Sequence, residues 1–89
     1  MPLDLSPLRP AVELLHLHFG NWKAVERAIG FPHATMRRWA AGSVGAPQPG
    51  LLDLVILRLR AQGLDELAAS WVAARSAVYP HLPPVGGAS

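Results

Sequence analysis

NWKAVERAIGFPHATMRRWAAG, residues 21–42, is the stretch on which the fold turns. Asn21 is a good helix N-cap, because its side-chain oxygen can accept from an unpaired first-turn N–H. Trp22, Val25 and Ile29 follow at helical spacing, and Gly30 stands where a left-handed C-cap residue belongs. Phe31 and Pro32 form a connection, after which a second apolar series begins. Taking about 100° per residue, Met36, Trp39 and Ala40 fall within one sector of about 100°. His33, Ala34, Arg37, Arg38 and Ala41 fall on the opposite side. The spacing predicts two short amphipathic helices, about 22–29 and 33–41. Lys23 and Arg27 lie on the outer face of the first, and Arg37 and Arg38 on that of the second.

Outward from this pair, proline and glycine punctuate the chain. Pro7 and Pro10 suit the opening turn of a helix over about 10–19, with Val12, Leu15 and Phe19 inward and Gly20 closing it. LHLHF, residues 15–19, alternates like a strand, but no partner strand occurs elsewhere. Gly42 to Gly50 reads as a loop, followed by a helix over about 50–62 that stops at Gly63. Asp65 is expected to cap a fifth helix reaching about Tyr79. The expected organisation is an N-terminal arm at 1–6, a helical domain at 7–79 and a disordered tail at 80–89. The fold class is all-α, five short helices.

Composition narrows the function. Apolar residues make up 51% of the 89, and charged residues 16%, which suits one folded domain with one modest core. There is no cysteine, so disulfides, thiolate catalysis and thiolate metal sites are excluded together. Residues 1–6 carry Asp4 and no basic cluster, so no secretory signal is expected. Leu51 to Leu59 contains Asp53 and Arg58 and is too short to span a bilayer. A cytoplasmic protein without membrane contact is expected. His16 and His18 sit two apart on a helix and do not face each other, so no metal is expected. No Ser/His/acid spacing suggests a nucleophile, and no Gly-rich phosphate loop follows a strand. The expectation is no enzyme activity, no cofactor and no small-molecule effector.

Net charge is only +2, but its distribution is uneven. Lys23, Arg27, Arg37 and Arg38 face a single acid, Glu26, between Gly20 and Gly42, while the rest of the chain is slightly acidic. Concentrated positive charge on a helix pair is the footprint of a polyanion partner.

With Val25, Ile29, Gly30, Phe31, Thr35, Met36, Trp39 and Gly42 in register, residues 21–42 resemble the helix-turn-helix of Cro-like, λ-repressor-type DNA-binding proteins, most closely the small phage and mobile-element regulators. The resemblance implies a Cro/repressor-like five-helix fold whose second and third helices form the motif. It implies a recognition helix in the major groove of double-stranded DNA, its N-terminal residues reaching base edges. His33, Ala34, Arg37 and Arg38 would then contact bases, with His33 as a hydrogen-bond donor and Arg37 favoured over Arg38 for a base. Asn21, Trp22, Lys23, Arg27, Thr35 and Ser43 would contact phosphates. Glu26 departs from the pattern, standing where the family has a small residue. It is expected either to bend out toward a nearby arginine or to widen the helix crossing.

LLDLVILRLR, residues 51–60, is apolar almost all round a helix. Leu51, Leu52, Val55, Ile56 and Leu59 make a wide stripe, with Leu54 and Leu57 on another side. A helix apolar on two sides in a small domain must bury both. This predicts a homodimer interface formed by Leu54, Leu57, Leu67, Trp71, Val78 and Tyr79. The expected function is that of a sequence-specific transcriptional regulator, a dimeric repressor on a pseudo-palindromic operator. The alternatives are a protein-interaction module on the same fold, as adaptor or inhibitor, and a helical subunit of a larger assembly.

Overall fold

The computed structural model describes residues 6–30, 32–41 and 49–82. It contains five helices: α1 (Leu8–Phe19), α2 (Trp22–Ile29), α3 (His33–Ala41), α4 (Pro49–Ala61) and α5 (Asp65–Val78). No strand occurs among the described residues, and no helix there is long and apolar enough to cross a membrane. Residues 1–5 of the expected arm, Phe31, residues 42–48 of the expected loop with Ser43, and most of the expected tail (83–89) lie outside the described residues. Residues 80–82 form a turn in which the Leu82 N–H donates to the Tyr79 carbonyl at 3.2 Å.

α1 starts two residues earlier than its apolar pattern suggests, because Pro7 takes the N-cap position and Pro10 lies in the first turn. Proline is tolerated there, since first-turn N–H groups have no intrahelical acceptor. LHLHF is helical, and α1 buries Leu8, Ala11, Val12 and Leu15 on one stripe. α2 opens on Asn21, whose Oδ1 accepts the Ala24 N–H at 2.8 Å. α5 differs in detail from the reading of Asp65 as a cap. Leu64 takes the cap position without a side-chain bond, and Asp65 and Glu66 occupy the first helical turn. There they act on the helix dipole rather than on a particular N–H.

Gly30 ends α2 at φ 90°, its N–H donating to the Glu26 carbonyl at 2.7 Å. A second constraint comes from α4. The Arg58 guanidinium lies so close that a Cβ at position 30 would stand 2.6 Å from Nη1. Gln62 Nε2 donates to the carbonyls of Ala28 and Arg58, each at 3.1 Å. Gln62, just past the end of α4, therefore ties down the end of α2, and the Arg58 guanidinium of α4 lies beside it, where free carbonyls concentrate negative potential. This anchorage sets where the chain leaves α2 toward α3.

α1 packs against α2, α3 and α5, while α4 packs against α5 and α2. The shared core includes Leu15, Val25, Met36, Ile56, Leu59 and Trp71, all fully buried. Trp39 meets Trp71 edge to face, with ring centroids 6.2 Å apart and planes at 67°, a favoured aromatic geometry. Of the expected dimer-interface residues, Trp71 and Val78 belong to this core, at 0% and 3% exposure. That corrects their assignment: α5 packs between α1 and α4, turning Trp71 inward onto α3. Leu54, Leu67 and Tyr79 are half-buried, and Leu57 is exposed. The buried Arg75 is compensated from α4, its Nε–H donating to Asp53 Oδ1 at 2.6 Å. Asp53 thus has a structural partner within the chain.

Candidate functional site

α3 is fixed by one side and open on the other. Met36 and Trp39 are buried, Ala40 is half-buried, and Ala34, Arg37, Arg38 and Ala41 are exposed. Neither arginine has an ion pair or hydrogen bond among the described residues, and the same is true of exposed Lys23 and Arg27 on α2. The small residues Ala34 and Ala41 beside the arginines leave the helix backbone open to close approach. Thr35 is half-buried, its N–H donating to the Pro32 carbonyl at 3.2 Å in the opening turn.

Glu26 reaches neither an arginine nor the core. Its Oε2 accepts the backbone N–H of His33 at 3.3 Å, and its Oε1 lies 3.2 Å from His33 Nδ1. A carboxylate from α2 therefore receives the first N–H of α3, the position where negative charge is favoured. The His33 side chain, followed by its backbone N–H, pulls the Glu26 carboxyl below its ordinary value of 4.5. The residue that departs from the expected pattern is a brace between the two helices, with both partners about one-third exposed.

His33 is held on a second side by Trp22. The rings of His16, Trp22 and His33 form a ladder, with centroid separations of 4.3 and 5.6 Å and interplanar angles of 24° and 22°. It joins α1, α2 and α3 at one corner, with the Trp22 indole in contact with both imidazoles. Trp22 and His33 are thus engaged in intramolecular contacts. Asn21 is exposed, with its side-chain oxygen engaged in capping and its amide nitrogen directed to no protein acceptor among the described residues.

No protein-family model, curated protein or solved structure matches this chain.

Two cations near α3 escape a reading by sequence segments. Arg9 of α1 lines the same groove as Arg37, with Glu13 as its partner at 3.2 Å. Arg58 of α4 lies at the turn that precedes α3. Both come from distant helices, and only the packing of α1 and α4 brings them here.

The brace has a testable pH dependence. A carboxyl with a depressed folded value stabilises the fold fully above its unfolded value. That contribution is lost as the pH falls from about 4.5 through the lower folded value. Glu26→Gln keeps the shape and removes the charge. Its melting temperature should lie below the parent's at neutral pH, and the gap should close in acid, where parent Glu26 is protonated. Thermal melts between pH 7 and pH 3 check this; a gap independent of pH would show that the charge is not what braces α3.

Proposed function

We propose that this chain binds double-stranded DNA sequence-specifically, as a dimeric transcriptional repressor in which α2 and α3 act as a Cro-like helix-turn-helix. The observation that carries the reading is Arg37 and Arg38, adjacent, exposed and without ion pairs or hydrogen bonds among the described residues, on a helix whose opposite side is locked by Met36 and Trp39. The major groove admits an α-helix, and arginine can donate two hydrogen bonds to guanine O6 and N7. One of the pair reads a base while the other, with Lys23 and Arg27, neutralises phosphates. The brace to Glu26 changes the role of His33 in this reading: it holds the start of α3 rather than seeking a base.

Mechanistically, such a protein works by occupancy, covering an operator and excluding polymerase without a catalytic step or cofactor. Two copies would place their recognition helices in half-sites about 34 Å apart. The resemblance of residues 21–42 to small phage and mobile-element regulators, which act in the cytoplasm, supports this assignment.

Selection of bound sequences from a random duplex pool, followed by a salt titration on the winner, tests it. About three phosphates neutralised per subunit predict that affinity falls roughly a thousandfold between 50 and 200 mM salt. The pool should yield two related half-sites. No enrichment and no shift at low salt would sink the DNA reading and favour a protein-interaction module on the same fold.

A further inference from the structure

α1 and α3 border an open groove that separates the two arginines of α3. Arg37 lines it together with Arg9 and Glu13 of α1, above an apolar strip that includes Val12 and Ala40. Arg38 has no part in that lining and stands about 100° further round the helix. Arg9 and Glu13 form an i,i+4 pair at 3.2 Å, their side chains 70% and 64% exposed. Pairs this exposed hold weakly, so Arg9 can leave Glu13 for a stronger anion. Two guanidiniums from helices far apart in the chain thus share one groove, and a guanidinium does not lose its proton in a protein.

We infer that Arg9 and Arg37 together seat the phosphate backbone of the duplex, and that Arg38 is the arginine that reads a base. Helix width decides the assignment. The major groove is about 12 Å wide and a helix with its side chains about 10–12 Å across, so α3 can enter but α1 cannot follow it. The flank of α3 beside α1 must therefore stop at the lip of the groove, where the phosphates run. Arg37 is on that flank, while Arg38, further round and away from α1, reaches the base edges. This reverses the expectation from residue order, in which Arg37 is favoured for the base. Arg9 adds a phosphate contact beyond those of Arg37, Lys23 and Arg27, and the Glu13 carboxylate in the same groove opposes it. The inference deepens the DNA-binding reading and rests on it for the duplex.

The test measures binding of the full chain to the duplex selected from a random pool, and to duplexes in which each position of that site is varied. Circular dichroism confirms that each variant is folded, as expected for four exposed side chains. Arg9→Ala should weaken every duplex alike, about tenfold per subunit at about 0.1 M salt, and flatten the salt slope by about one per subunit. Arg37→Ala should do the same, because phosphate contacts carry no sequence information. Arg38→Ala should instead relax the preference at one position of each half-site. Glu13→Gln should tighten binding to every duplex by removing a charge that repels phosphate. If the parent binds, three results would each overturn the inference and leave the DNA reading in place: Arg9→Ala with parental affinity and slope, Arg37→Ala with relaxed base preference, or Glu13→Gln without tighter binding. A parent that binds no duplex overturns both.

Discussion

Arg37→Ala/Arg38→Ala, made together, is expected to reduce operator affinity between about 30-fold and 10⁴-fold while leaving the fold intact. A bidentate arginine–guanine contact contributes about 1–3 kcal/mol of discrimination, and a dimer uses each contact twice. Losing one such contact per subunit amounts to about 2–6 kcal/mol, before the lost phosphate neutralisation is added. Stability should hold, because both side chains are exposed and unpaired among the described residues, and alanine is the best helix former. The single variants separate the roles. The base reader should relax specificity at one operator position; the phosphate contact should weaken all sequences alike and flatten the salt slope. Titration of labelled operator, with circular dichroism as the control, checks this. A folded double variant that binds like the parent would remove α3 from the interface.

Trp71→Ala is expected to be the most damaging single substitution to the fold. The indole is fully buried and meets Trp39 of α3 edge to face, so its loss opens a cavity between α5 and the helix that carries the arginines. Truncating a buried tryptophan costs about 3–5 kcal/mol, against a total stability of about 5–15 kcal/mol for an ordinary domain. The melting temperature should fall by more than about 12 °C. Trp71→Phe should cost less than half as much. The buried Nε1–H has no hydrogen-bond acceptor among the described residues, so phenylalanine keeps most of the ring and removes a poorly satisfied donor. Thermal melts at two protein concentrations distinguish this from an interface role. A core residue lowers stability at both concentrations, whereas an interface residue leaves a folded monomer.

Much of the helical layout is legible in residue order because its causes are local. Glycines 20, 30 and 63 all have positive φ and stand at helix ends, and the apolar spacing of 36 and 39 sets which side of α3 turns inward. The same locality explains the errors. Around Pro7 and Asp65 the helix start moved by one or two residues, because several first-turn positions satisfy similar requirements. Apolarity marked Trp71 and Val78 as needing cover without saying whether this chain or another supplies it. Only the packing of α5 between α1 and α4 answers that.

For NWKAVERAIGFPHATMRRWAAG, residue order by itself determined two helices, the turn at Gly30 and the outward phase of Arg37 and Arg38, since each follows from backbone sterics and 3.6-residue periodicity. Tertiary structure decided what Glu26 does. The carboxylate meets the first N–H of α3 because α2 and α3 cross there, a relation supported by Arg58 of α4, by Gln62 just beyond it and by the stacking of His16 of α1 on Trp22 and of Trp22 on His33. Those contacts join residues far apart in the chain, and no local pattern encodes which distant side chain will arrive.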